Sequence, residues 1–162
     1  MKAFNFIPSL IVYDFDGVMT DNSVLVDEDG KEYVRVNRGD GYAVHMIKTC
    51  LNIPQIILST EANCVVLRRA EKLNIPVINN SGDDKKRILA RYLQDKGFNS
   101  KSTLYIGNDM NDFEAMMICG YRCCPADAQP EIKAIAHYIF ESCGGYGVIR
   151  ELYRILLEEY NG

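Results

Sequence analysis

Long apolar runs are missing from this 162-residue chain: none approaches the roughly 18 to 20 residues that a membrane span needs. The opening Met1 to Phe6 also lacks the apolar core of a secretory signal, so the expected location is the cytoplasm. An excess of basic residues is missing too. The formal net charge is -4 with lysines and arginines scattered, which excludes the basic stripe of a nucleic-acid binder and leaves a small anionic substrate dependent on a few local cations. The six cysteines show no CxxC spacing and the two histidines no metal-like pairing, so neither type points to a metal centre or a disulfide framework. No internal repeat, low-complexity tract or Pro/Gly-rich linker interrupts residues 1–162, and the expectation is one domain of ordinary size.

What the chain does have is an alternation of short apolar runs with amphipathic stretches, the pattern of a parallel sheet covered by helices on both faces. Strands are expected at Leu10 to Phe15, Gln55 to Ser59, Pro76 to Asn79, Thr103 to Gly107, Arg122 to Pro125 and His137 to Phe140. Helices are expected at Gly41 to Cys50, Ala62 to Leu73, Lys85 to Lys96, Asp112 to Ile118, Pro130 to Ala136 and Val148 to Tyr160. Val24 to Val26 and Tyr33 to Val36, joined by Asp27-Glu28-Asp29-Gly30, read as a hairpin.

Open sheets of this kind bind ligands at the carboxyl ends of their strands. The polar residues expected there are Asp14 and Asp16, then Ser59-Thr60-Glu61, then Asn79 and Lys85, then Asn108, Asp109 and Asp112. Asp14 and Asp16 stand at i and i+2 after a buried strand, so their side chains share one side, and Gly17 lets the main chain turn beside them. Two carboxylates so placed suit a nucleophile beside an acid/base or a metal ligand. Asp21 and Asp40 read as turn formers, and Tyr42 and Tyr146 as packing residues.

Four segments in this order resemble the motifs of the haloacid dehalogenase-like phosphatases: Asp14 through Asp21 (DFDGVMTD), Ser59 in Ile57-Leu58-Ser59-Thr60, Lys85, and Gly107 through Asp112 (GNDMND). The resemblance implies a three-layer Rossmann-like fold and a phosphoric monoester hydrolase. It makes Asp14 the nucleophile and Asp16 the acid/base, with Ser59 and Lys85 holding the phosphoryl group. Mg²⁺ would join the Asp14 carboxylate, the Asp16 main-chain carbonyl and the Asp109 carboxylate, with Asp112 completing the metal set. Many members carry aspartate where this chain has Asn108; Asp109 is then the expected direct ligand, with Asp112 holding a metal-bound water or Lys85. Cations matter physically, because a carboxylate about 4 Å from a phosphate dianion is opposed by roughly 8 kcal/mol at an effective dielectric near 20.

Asp16 and Ser59 are separated by 42 residues and Ser59 and Lys85 by 25, room for the expected elements and for no lid domain. Asp40-Gly41-Tyr42 and Gly144 through Glu151 are similar to the capless tetrameric phosphatases of 3-deoxy-2-ulosonic acid biosynthesis. That kinship implies a homotetramer with a packed hairpin and sites shared between subunits. Members acting on the eight-carbon acid usually read threonine-glycine-arginine where this chain has Ser59-Thr60-Glu61, and the run Arg69-Ala70-Glu71-Lys72-Leu73 is similar to members acting on nine-carbon acids. The implied substrate is 2-keto-3-deoxynononic acid 9-phosphate, with 3-deoxy-manno-octulosonate 8-phosphate or N-acylneuraminate 9-phosphate as alternatives. Glu61 would meet sugar hydroxyls, while Arg69 and Lys72, about 12 to 16 Å further along a helix axis, would serve the carboxylate in a neighbouring site. A silent assembly domain, as found fused to some cytidylyltransferases, is the competing non-enzyme class.

Overall fold

β1 (Leu10–Tyr13) is buried along its whole length because both faces of the sheet are covered. Leu10 and Val12 join one apolar cluster with Ile56, Leu58, Leu89 and Met116; Ile11 and Tyr13 join the other with Val44, Ile57, Val66 and Leu152. This two-sided burial is why β1 reads as a continuous apolar run rather than an alternation. The computed structural model describes residues 5–61, 64–79 and 84–161. In chain order its further elements are β2 (Leu25–Val26), β3 (Glu32–Tyr33), α1 (Arg38–Cys50), β4 (Gln55–Ser59), α2 (Val65–Leu73) and β5 (Val77–Asn79). There follow α3 (Lys85–Lys96), β6 (Thr103–Ile106), α4 (Met110–Met117), β7 (Tyr121–Cys124), α5 (Pro130–Ile135), β8 (Tyr138–Ile139) and α6 (Val148–Asn161).

The sheet is six-stranded and parallel in the order β5-β4-β1-β6-β7-β8, with β1 between β4 and β6. All strands therefore end at one edge, and the ends of β1, β4 and β6 lie side by side. The hairpin β2–β3 is a separate antiparallel pair, the only strand pair between β1 and α1 among the described residues, and no cap covers the sheet edge.

All six expected strands form with ends moved by at most two residues, and the hairpin forms with its second arm ending at Tyr33, three residues short of the expected Val36. Larger shifts have local causes. α1 begins at Arg38 rather than Gly41 because Asn37 caps it, its Oδ1 accepting from the N–H groups of Gly39 (2.7 Å) and Asp40 (3.3 Å). α4 begins at Met110 because Asp109 and Asp112 form a capping box. The expected start of the second helix at Ala62 lies outside the described residues.

Several side chains depart from expectation. Asp40 is a buried residue of α1, not a turn former, and its Oδ1 accepts from the N–H of Arg150 at 2.9 Å. Tyr42 and Tyr146 are more than half exposed rather than packed; Arg150 lies over the first ring and Arg35 over the second. Cys119, Cys123 and Cys124 are buried as expected of small hydrophobes, whereas Cys50 and Cys64 are exposed. No helix among the described residues is long and apolar enough to cross a membrane.

Candidate active site

The site begins where β1 stops. The N–H of Asp14 is bonded to the carbonyl of Ile106 at 2.9 Å, which ties the last turn of β1 to the end of β6. Asp14 Oδ1 accepts from its neighbour Phe15 N–H at 2.8 Å and from Lys85 Nζ at 2.7 Å. Lys85, the first residue of α3, is almost wholly buried and reaches Asp112 Oδ1 at the same 2.7 Å. Burial, then the charge of Asp112, push the Asp14 carboxyl well above its usual range, and Lys85 opposes them. Burial also works against the Lys85 ammonium, but Asp14 and Asp112 outweigh it and hold the ammonium above its ordinary value. Lys85 is therefore a fixed cation between two carboxylates.

Asp112 is fully enclosed, and each of its oxygens has two partners. Oδ1 accepts from Lys85 Nζ and from Tyr105 Oη at 2.8 Å; Oδ2 accepts from the N–H groups of Asn108 at 3.0 Å and Asp109 at 3.4 Å. Of the two roles expected for it, Asp112 fills that of holding Lys85, and its lone pairs leave nothing for a metal.

Asn108, one of the polar residues expected at this sheet edge, reaches into the site. With its side-chain nitrogen facing them, it donates to Asp14 Oδ2 (3.1 Å) and to the main-chain oxygen of Asp16 (2.9 Å). Its approach requires Gly17: φ there is +80°, and a Cβ would lie 2.0 Å from the nearer atom of the Asn108 amide. Among the described residues no three His, Cys, Asp or Glu side chains are placed to hold a metal ion, so a metal at this edge would need main-chain or amide donors as well. Asp112 is spent, and Asp109 is turned to cap α4, its Oδ1 accepting from Met110 N–H at 2.6 Å.

The residues still fit an octahedral hard cation by another route. Ligands about 2.1 Å from magnesium lie about 3.0 Å from one another, close to the spacing of the Asn108 amide from Asp14 Oδ2 and the Asp16 carbonyl. An amide can present its oxygen as readily as its nitrogen, so these three groups can hold the ion, with waters completing the shell. The signal available in the sequence was the position of Asn108 directly after Gly107. Asparagine carries no charge, which is why the sequence alone favours Asp109 over it.

Asp16 is half-buried, with Oδ1 accepting from the Thr20 hydroxyl at 3.1 Å. Partial burial raises its pKa against the lowering effect of that bond, and the charge of Glu61 raises it further, as suits a group that must hold a proton for a leaving oxygen. Ser59, at the end of β4, is buried and its Oγ accepts from Glu61 N–H at 3.2 Å. Asp14, Asp16, Ser59, Glu61, Lys85, Asn108 and Asp109 line one open pocket of about 350 Å³. Arg69 and Lys72 are not among its walls. Together with Arg38, Gly41 and Leu73 they line a second depression of about 430 Å³.

A buried nucleophile-type carboxylate, a second carboxylate two residues on, a fixed lysine and a cation cradle at the edge of an open parallel sheet define a phosphoryl-transfer hydrolase. A family model for haloacid dehalogenase-like hydrolases matches residues 47–152, and the chain belongs to that family. It is a phosphatase of the family, similar over 148 residues to the 3-deoxy-D-manno-octulosonate 8-phosphate phosphatase KdsC of Yersinia pestis. That relative is 29% identical, with 91% of this chain and 79% of the relative covered. A solved structure named as an HAD family hydrolase from Streptomyces avermitilis is 36% identical with a TM-score of 0.88, covering 97% of this chain and 94% of that one. The 3-deoxy-D-manno-octulosonate 8-phosphate phosphatase of Moraxella catarrhalis, solved with magnesium, phosphate and KDO, is 27% identical with a TM-score of 0.89, covering 99% and 90%.

Proposed function

We propose that the chain is a single-domain, Mg²⁺-dependent phosphomonoesterase acting on a 3-deoxy-2-ulosonic acid phosphate, with 2-keto-3-deoxynononic acid 9-phosphate as the substrate. The observation that carries the chemistry is the convergence of Asp14, Asp16, Lys85 and Asn108 in one pocket. The Asp14 carboxylate attacks phosphorus as Asp16 gives its proton to the departing sugar oxygen, forming an aspartyl-phosphate and the free alcohol. Asp16, now a carboxylate, takes a proton from the water that attacks the aspartyl-phosphate, releasing inorganic phosphate and restoring Asp14. Ser59 and Lys85 hold the phosphoryl oxygens. Asp14, the Asp16 carbonyl and the Asn108 amide oxygen would hold Mg²⁺, which would supply the positive charge that lets a carboxylate approach a phosphate dianion.

Asn108→Ala is therefore expected to raise the Mg²⁺ concentration for half-maximal phosphate release by about tenfold or more, since it deletes one of three protein ligands. Asp109→Ala, which deletes a helix cap at the rim, is expected to cost stability and to move the Mg²⁺ requirement less. Calorimetric Mg²⁺ titration of both variants checks the assignment. The opposite order would return Asp109 to the metal.

The substrate class is supported by where the cations are. Among the described lining residues of the catalytic pocket the only cation is Lys85, and Asp14 and Asp112 hold it. A sugar acid carries a carboxylate at the end remote from its phosphate, and that charge needs a partner. Arg69 offers one: Nη2 donates to the Asn37 carbonyl at 2.8 Å, while Nε is buried without a partner. Lys72 stands beside it in the second depression. Supplied by a neighbouring subunit of a homotetramer, these two would close the open pocket over the carboxylate. The hairpin suits such assembly, because Leu25 and Val26 leave 74% and 63% of their surfaces exposed. Glu61, exposed at the rim, is placed for the sugar hydroxyls.

Glu61→Ala and Arg69→Ala are each expected to raise KM for the nine-carbon substrate about tenfold or more while changing KM for p-nitrophenyl phosphate far less. A screen of phosphate release from eight-carbon and nine-carbon ulosonic acid phosphates decides the chain length. Preference for 3-deoxy-manno-octulosonate 8-phosphate would favour the activity named for the Yersinia and Moraxella relatives.

A further inference from the structure

Three carboxylates outside the catalytic pocket spend oxygens on one short stretch of main chain. Glu151 accepts from the N–H groups of Glu141 and Ser142, both at 2.9 Å. Asp127 Oδ1 accepts from Gly144 N–H at 2.9 Å, and Asp40 Oδ1 from Arg150 N–H at 2.9 Å. The stretch so fixed, residues 141–150, presses its two adjacent glycines against the loop that follows Asp16. Gly145 N–H donates to the Val18 carbonyl at 3.0 Å. A Cβ on Gly144 would lie 2.2 Å from the carbonyl oxygen of Gly17 and 3.0 Å from that of Thr20. One on Gly145 would lie 2.5 Å from the nitrogen of Asp21. These contacts are with main chain on both sides, so a side chain at either position must displace the loop.

Thr20 is the residue in that loop with a use for such fixing. It is fully buried, and its hydroxyl oxygen accepts from the N–H groups of Gly17 and Asn22, both at 3.2 Å. With both lone pairs occupied, its one hydrogen is left for Asp16 Oδ1 at 3.1 Å.

We propose that Thr20 is a positioning residue for Asp16, and that the Gly144-Gly145 turn, anchored by Asp127, holds Thr20 in place. The C-terminal segment thereby aims the acid/base from outside the pocket. Asp16 Oδ1 is committed to Thr20, and Oδ2 is the oxygen that passes its proton to the leaving group as the phosphorus–oxygen bond breaks. This inference rests on the phosphomonoesterase reading above.

The test is leaving-group dependence. The ratio kcat/KM reports events up to phosphoryl transfer onto Asp14, and in that step a p-nitrophenolate departs without a proton whereas an alkoxide needs one. Thr20→Val removes the hydroxyl at nearly constant volume. It is expected to lower kcat/KM for an alkyl phosphate about tenfold more than for p-nitrophenyl phosphate, and Thr20→Ser is expected to restore the ratio. Gly144→Ala is expected to produce the same bias. Asp127→Ala, which unties Gly144 without adding bulk, is expected to give about a threefold bias and serves if Gly144→Ala does not fold. Equal losses on the two substrates, or no loss, in Thr20→Val would overturn the positioning role; an unbiased Asp127→Ala would overturn the part of the turn. Absence of phosphate release from either substrate by the unaltered protein with Mg²⁺ would instead overturn the phosphatase reading.

Discussion

Asp14→Asn is expected to reduce Mg²⁺-dependent phosphate release by on the order of 10⁴-fold or more, because it removes the carboxylate that is to accept the phosphoryl group. The same substitution is expected to leave the fold intact and its stability equal or higher. Asp14 sits buried opposite Asp112, and burial together with that like charge already disfavours its ionised form. An amide of the same shape removes the repulsion, while Lys85 keeps its bond to Asp112. Activity and stability thus move independently. Urea unfolding beside a phosphate-release assay separates them, and substantial residual turnover in a folded variant would remove Asp14 from the nucleophile's place.

The second large effect has the opposite pattern. Lys85→Met leaves Asp14 and Asp112 buried and facing each other with no cation between them, and breaking a buried pair in this way costs about 3 to 5 kcal/mol. Turnover is expected to fall by about 10²- to 10³-fold as well, since the lysine also holds phosphoryl oxygens. The stability loss carries a pH signature. Burial already raises the Asp14 carboxyl above its ordinary range and Lys85 opposes that rise, so without the lysine the cost of its ionised form is present at neutral pH and is relieved as pH falls through the raised value. Denaturation at neutral and mildly acidic pH, without added Mg²⁺, should show the gap from the unaltered protein narrowing on acidification. A gap that stayed constant would mean that lost packing, rather than unpaired charge, is responsible.

The difference between these two variants reflects how the site is built. Lys85 serves structure and chemistry together, by neutralising two carboxylates that the end of β1 and the start of α4 bring to one point. Asp14 serves chemistry at a cost to the fold. Such a site favours a divalent cation on electrostatic grounds, because one lysine does not balance Asp14, Asp16, Asp109, Asp112 and Glu61.

Most of the fold was legible because the apolar runs of β1, β4 and β6 have no other use than burial on two faces, and because Asp14, Ser59, Lys85 and Asn108 fall at or just beyond the strand ends or helix starts that bound the pocket. Residues with two competing uses were harder. Asp109 has the charge of a ligand and also the position of an N-cap, and only the second use is written in the local pattern at the start of α4. Asn108 has no charge, yet the permissive φ at Gly17 lets its amide reach the cradle. Asp40 looks like a turn residue beside two glycines, and only the packing of α1 against α6 brings it to the N–H of Arg150. Gly144 and Gly145 carry no side chain to mark a contact, yet their main chain is packed closely against the loop after Asp16. In each case the missing information was long-range contact, which local pattern does not carry.

The covalent step is open to direct trapping. The unaltered protein, mixed with Mg²⁺ and a labelled phosphate monoester and quenched in acid during turnover, should carry label on the peptide containing Asp14, with none on Asp14→Asn. Phosphate release at full rate with no label on that peptide, or with label on another residue, would contradict an aspartyl-phosphate at Asp14.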